Sequence, residues 1–433
     1  MFTRVPVKPV RLDSYEGVAP DEQLAEIQRL SNKFKDARVL HVNATAFGGG
    51  VAEILSTMVP MMQDLGMHAE WQVIRGATEF FEVTKAFHNA LQGMPIPVTQ
   101  HMLDIYLRYS NMNADLFDED YDFVVMHDPQ VVAIRRLLKE RGAGTKGFWI
   151  WRCHIDLTDA QPKVWEFIKP YVECHDAVIF TMEKYVKSGL SVRHIAIIPP
   201  AIDPLSPKNV ELPESTIHDV LSRYGIDQTR PLISQISRYD PWKDPLGVID
   251  VYRLVKKEVP ELQLAMVATL ASDDPEGIDW FGKTARHAGE DPDIYLLAST
   301  KDNSVDVNVF QRSSQVVLQR SKREGFGLVV TEALWKGTPV VGTSAGGIPM
   351  QVLDGVNGFI ADNNELAAEK VIWLLRNPDD RIRMGVAGRE HVRQHFLITR
   401  YLLDYLRLFD KLYSERSTEM AATQDDHQQV VEG

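Results

Sequence analysis

At 433 residues the chain is too long for one ordinary hydrophobic core, so two domains are expected. Hydrophobic residues make up 44% and charged residues 25%, the balance of a globular enzyme rather than a disordered or fibrous chain. A formal net charge of −13 argues against nucleic acid as a partner, and only two cysteines, Cys153 and Cys174, exclude a disulfide framework and a Cys-rich zinc site.

The opening run MFTRVPVKPVRLDSYEG has no apolar core segment, and no apolar run in the chain approaches membrane-spanning length. A cytoplasmic protein with no membrane partner is the expectation. Further on, short β-branched runs alternate with amphipathic helical stretches. Strands are expected at 38–43, 69–74, 123–128, 147–154, 177–180 and 195–199, with helices such as 51–66 and 131–142 between them. Such alternation implies right-handed βαβ units and a parallel sheet covered on both faces. The segment PPAIDPLSPKNVELPES (199–215), with five prolines in seventeen residues, interrupts the pattern and reads as a linker. Alternation then restarts, with strands at 231–237, 262–268, 294–299, 315–319, 338–343 and 358–361. Helices follow around 364–375, 379–395 and 398–415. The fold class is α/β, with two Rossmann-like doubly wound domains over 1–205 and 206–395. A helical segment at 396–416 follows, and the polar residues 417–433 are expected to be disordered.

In open α/β sheets, ligands bind at the carboxyl ends of strands, so chemistry is sought in the loops that follow them. The first such loop is NATAFGGGVAEIL (43–55), where Gly48, Gly49 and Gly50 precede a helix. Glycines let the backbone approach an anion, and the helix start presents its amides to it; the plain alternative is a tight turn. This is neither a Walker A nor a G-x-G-x-x-G sequence. The second loop, SQISRYDPWKDP (234–245), offers Arg238 and Lys243. Two cations at a strand end can hold a diphosphate, although solvated loop cations are common. QRSKREGFGLVVTEALWKGTPVVG (319–342) places Glu324, Gly325, Phe326, Gly327 and Leu328 at a helix start, with Glu332 about one turn further on. Amides there suit phosphate or sugar oxygens, and a carboxylate suits a sugar hydroxyl. In WIWRCHIDLT (149–158) a strand ends at His154 and Asp156, suited to contacting a sugar hydroxyl; a core histidine is the competing reading. HDPQ (127–130) is a weaker case of the same kind, and Trp149, Trp151 and Trp165 read as core. Neither a metal signature nor the G-x-S-x-G elbow of a serine hydrolase occurs.

In this order the pieces resemble the retaining glycosyltransferases of the glycogen-synthase-like group, whose fold is GT-B, two Rossmann-like domains facing across a cleft. Their signature, a Glu, seven residues and a second Glu around G-F-G-L and E-A, corresponds to Glu324 and Glu332. More narrowly, GGGVAEIL, WRCHID, IPPAIDPLSPKN and SRYDPWKDP resemble the trehalose glycosyltransferring synthases, with kin among retaining trehalose phosphorylases. The resemblance implies reversible transfer of glucose from ADP- or UDP-glucose to glucose. The N-terminal domain would serve the acceptor, the C-terminal domain the donor, and the helix at 396–416 would pack back on the N-terminal domain. Arg238 and Lys243 would neutralise the diphosphate, and Glu332 would hold the ribose. Glu324 with the amides of 325–328 would hold the hexose and phosphates, and the turn 48–50 would close on the donor. His154 would contact the donor sugar near the reacting carbon, and Asp156 would position the acceptor. Gly346 and Gly347 also fit the pattern, but Met350 stands where many relatives have a Glu. No metal site or cofactor is required, Mg²⁺ on the diphosphate is allowed, and a homodimer is expected. The competing readings are a trehalose phosphorylase and a non-catalytic nucleotide-sugar-binding protein.

Overall fold

The computed structural model describes residues 2–47, 49–117, 119–144, 146–269, 275–299 and 303–431. The chain forms two compact units, one of Met1–Pro200 with Ile398–Gly433 and the other of Ala201–Leu397. In the first unit the strands are β1 (Thr3–Arg4), β2 (Arg38–Asn43), β3 (His68–Val73), β4 (Phe123–His127), β5 (Phe148–Arg152), β6 (Ala177–Phe180) and β7 (His194–Ile197). They lie in the order β1-β3-β2-β4-β5-β6-β7, all parallel except β1. In the second unit β8 (Leu232–Ile236), β9 (Gln263–Thr269), β10 (Ile294–Ser299), β11 (Val316–Gln319), β12 (Val340–Gly342) and β13 (Gly358–Ile360) form an all-parallel sheet in the order β10-β9-β8-β11-β12-β13.

Each strand expected from the sequence is present. Parallel strands buried on both faces read as nearly unbroken apolar runs, and β4 and β8 are buried throughout. Strand β1 was not anticipated, because two exposed residues pairing with β3 carry no periodic signal. The proline-rich stretch is irregular, yet it is fastened to the second unit. Ile202 N–H donates to the carbonyl of Phe396 at 2.9 Å, and the buried Asn308 donates through Nδ2 to the carbonyls of Pro207 (3.0 Å) and Val210 (2.8 Å). Prolines remove amide donors but leave carbonyls and neighbouring side chains to anchor the chain.

The C-terminal helix, Ile398–Val431, packs within the first unit against the helices Asp21–Ser31 and Gly50–Asp64. It continues to Val431 through the polar residues expected to be disordered. A helix needs only local backbone bonds, and Glu, Met, Ala and Gln are good helix formers, so low apolar content alone does not end it.

Strand order reverses between β2 and β4 in the first unit and between β8 and β11 in the second. At such a switch point adjacent loops leave in opposite directions and open a crevice at the strand ends. The loops singled out from the sequence all lie there or one strand away.

Candidate active site

In the second unit the loops after β8 and β11 are tied together. Lys322 N–H donates to the carbonyl of Trp242 at 2.7 Å, and Lys322 Nζ reaches Asp244 Oδ1 at 2.8 Å. Asp240 accepts from the amides of Trp242 (2.9 Å) and Lys243 (3.0 Å), capping the short turn Pro241–Lys243. Gln235 Nε2 donates to the carbonyl of Lys243 at 2.7 Å. The Lys243 backbone is thus held on both sides, and its ammonium meets Glu324 Oε2 at 2.6 Å. Gln319 Nε2 (3.0 Å) and Ser321 Oγ (3.1 Å) converge on the same oxygen.

Side-chain exposure is only 18% for Lys243 and 10% for Glu324, so removing one partner would strand a charge at a cost of about 3–5 kcal/mol. Arg238 is different. Its guanidinium lies 3.6 Å from Asp240 and is 66% exposed, at the rim of the loop. Burial raises the Asp240 carboxyl above its usual range, an effect that Lys243 and Arg238 oppose.

Gly327, at φ 85°, begins the helix Leu328–Trp335, and no side chain caps it. No side chain therefore occupies the start of that helix, where the positive end of its dipole lies. Phe326 is buried against Phe396, while Gly325 and Leu328 are half-buried. At Gly346, with φ 55°, a Cβ would overlap the carbonyl of Glu324. Gly346→Ala is accordingly expected to displace Glu324 and weaken its ion pair with Lys243, and thermal unfolding would show the loss of stability; φ in this region alone costs about 1–2 kcal/mol for a side chain.

Glu332 belongs to a second network. Its carboxylate, 3% exposed, lies 3.7 Å from Lys208 Nζ and accepts from Gln311 Nε2 at 3.2 Å. Gln311 Oε1 in turn accepts from Lys336 Nζ at 2.7 Å. That ammonium also donates to Asn209 Oδ1 at 2.8 Å and to the Glu332 carbonyl at 3.2 Å. Burial pulls Lys336 down to about 7, with Glu332 opposing. Glu324 and Glu332 are joined by the helix start but not by hydrogen bonds to each other.

In the first unit Gly49, at φ 82°, starts the helix Gly50–Asp64, again with no side-chain cap; Gly48 lies outside the described residues. His154 follows β5. Its amide donates to Asp128 Oδ1 at 2.8 Å, and its Nε2 lies 3.1 Å from His127 Nδ1. Burial lowers the His154 pKa well below the ordinary histidine value, and Arg152 acts the same way. Asp128, at φ 65°, is pushed up to about 6 by burial. Asp156 Oδ1 accepts from the amide of Thr158 at 2.9 Å, closing a local turn. The three tryptophans are buried as expected.

Comparison with known proteins identifies the family. Over 416 residues the chain is 47% identical to a trehalose synthase of Rubrobacter xylanophilus, covering 95% of this chain and 99% of that one. The chain belongs to the trehalose synthase family. A trehalose synthase of Thermococcus litoralis is likewise 47% identical, over 92% of this chain and 97% of its own. Residues 41–187 match the family described as trehalose synthase, N-terminal domain, and residues 219–391 match glycosyl transferases group 1. A UDP-forming trehalose-phosphate synthase structure from Burkholderia xenovorans superposes with a TM-score of 0.70 at 14% identity, covering 87% of this chain and 99% of that one. That likeness shows the shared GT-B fold. This member of the trehalose synthase family is a glycosyltransferase that acts on a sugar donor and a sugar acceptor.

Among the described residues no helix is long and apolar enough to cross a membrane, and no three His, Cys, Asp or Glu side chains gather as a metal site. Sequence reasoning missed Gln235, Gln319 and Ser321 around the ion pair, Lys208, Gln311 and Lys336 around Glu332, and His41 and Arg152 in the first unit. The last two left a signal: a polar residue inside each apolar run, RVLHVN and WIWRCH.

Proposed function

We propose that this trehalose synthase relative transfers glucose, with retention of configuration, from ADP- or UDP-glucose to glucose, and that the reaction runs in both directions. The observation that carries the reading is the Lys243–Glu324 pair, fixed at the switch point of the second unit beside a helix start with no side-chain cap. An ammonium has three donors, and Glu324 takes one, which leaves others for a diphosphate. When the anomeric carbon separates from the donor phosphate, negative charge grows on the departing oxygen. Fixed cations and amide dipoles stabilise that charge without reorganising. Lys243, Arg238 and the amides of Gly325, Gly327 and Leu328 supply them, with Phe326 packed behind. The acceptor hydroxyl forms the new bond on the same face, and its proton passes to the departing phosphate. No protein base is then required.

Glu332 holds the ribose. His154 donates to the transferred glucose, and Asp156 orients the acceptor. Mg²⁺, where used, rides on the diphosphate. A cytoplasmic homodimer is the assembly proposed, and light scattering checks its size. The function itself is tested by a donor panel with glucose as acceptor, the product identified by mass and anomeric configuration. Trehalose with an α,α-linkage from ADP- or UDP-glucose is the expected product. Trehalose cleaved by inorganic phosphate, but not by ADP or UDP, would instead make the enzyme a phosphorylase.

A further inference from the structure

The sheet register of the first unit lines up three imidazoles. His41 on β2 sits opposite Val125 on β4, and His127 on β4 sits opposite Arg152 on β5. One strand across and two residues forward therefore leads from His41 to His127, and again from His127 to His154. Residues two apart share a face of the sheet, and diagonal neighbours are within reach of ring side chains. The rings connect accordingly. His41 Nδ1 lies 3.1 Å from His127 Nε2, and His127 Nδ1 lies 3.1 Å from His154 Nε2. The face is otherwise closed by Tyr401 and Tyr405 of the C-terminal helix, near Arg152 and His41 respectively.

A neutral imidazole has one N–H and one lone pair. Both contacts form as hydrogen bonds only when all three rings are protonated on the same nitrogen, either all at Nδ1 or all at Nε2. Burial keeps them neutral, taking His41 to about 3 and His127 and His154 well below the ordinary value. The Arg152 guanidinium adds to the effect on His127 and His154. The far end then selects between the two states. His41 Nε2 is buried, and among the described residues no protein group hydrogen-bonds to it. With every proton on Nε2 that end would be a buried donor without an acceptor. With every proton on Nδ1 it is a bare lone pair, the less costly orphan.

We infer that His41 and His127 are positioning residues that lock His154 as its Nδ1–H tautomer, a neutral hydrogen-bond donor to the sugar. The inference rests on the reading that His154 meets the transferred glucose. So held, His154 offers a proton to a sugar oxygen at Nδ1, has no lone pair there to act as a base, and sets no positive charge against a carbon that gains positive character as its bond breaks.

Imidazole ¹⁵N spectra of the full chain, with signals assigned through single histidine substitutions, read the tautomer directly and without substrate. His154 is expected as Nδ1–H, Nε2-bare across pH 5.5–8.5. His41→Phe should mix its tautomers and lower kcat roughly 10- to 100-fold with KM little changed. His41→Asn, whose amide can donate to His127 Nε2 from the place of the ring Nδ1–H, should restore both. A wild-type His154 protonated at Nε2 would overturn the inference whatever the variants do to the rate. So would a folded His41→Phe protein with unchanged tautomer and kcat. If the lock is seen but a folded His154→Phe protein transfers glucose at the full rate, the lock stands and the role given to His154 in the reaction fails.

Discussion

Lys243→Ala is expected to lower kcat for trehalose formation by roughly 10³-fold, about 4 kcal/mol of transition-state stabilisation, while the fold survives. The ammonium is mostly buried, with a side chain 18% exposed, and its position is set by Asp240, Gln235 and Glu324 together. A charge held in place before the reaction acts on the departing phosphate without first having to be ordered, so its loss falls on the transition state more than on donor binding. Arg238→Ala should cost less, about 10²-fold at low salt, and that loss should shrink at raised ionic strength, because its side chain is mostly exposed and its charge is screened. A double-mutant cycle with Glu324→Gln separates two roles for Lys243. If the lysine served only to satisfy Glu324, the double variant would recover most of the lost rate. Recovery is not expected. Steady-state kinetics on the four proteins, with circular dichroism to confirm folding, decides the matter; transfer by folded Lys243→Ala at the wild-type rate would remove it from the mechanism.

What could be read in the sequence follows how each feature is encoded. Strands such as β2, β4 and β8 are local patterns, apolar and β-branched over four to six residues, and they stand where the alternation places them. Glu324 and Lys243 could be picked out because loops after strands hold few charged residues beside glycines. That the two meet at 2.6 Å could not be seen, since their loops are 81 positions apart in the chain and are brought together only by the strand order β8-β11. The histidine chain is hidden for the same reason. His41, His127 and His154 look like three unrelated polar residues until strand pairing gives them a common stagger. Lys208 and Asn209 were hidden by their setting, because a proline-rich run reads as a spacer, whereas its side chains complete the bonding of Glu332 and Lys336.

That second network makes Glu332 a test of donor binding and stability at once. Glu332→Ala is expected to weaken nucleotide-donor affinity by about 10- to 100-fold in calorimetry, with kcat at saturating donor changed only a few-fold. Unchanged affinity in a folded protein would dismiss the ribose role. The same variant should lose about 3–5 kcal/mol of stability, because Lys208 and Gln311 lose a buried acceptor. The pH dependence carries a sign. Lys336 titrates near 7 in the folded protein, well below the ordinary lysine value, so from about pH 7 upward the unfolded chain binds the extra proton and stability from this group rises with pH. Below 7 both states are charged and the contribution is flat. Glu332 favours the charged lysine, so without it the folded pKa drops further and the sloping region extends to lower pH. The deficit of Glu332→Ala relative to the parent should therefore widen as pH falls from 7 to 5. Lys336→Met, which has nothing to titrate, should lose the rise between pH 7 and 10. Parallel unfolding curves for parent and Lys336→Met over that upper range would mean that Lys336 keeps an ordinary pKa and that the network does not act as one unit.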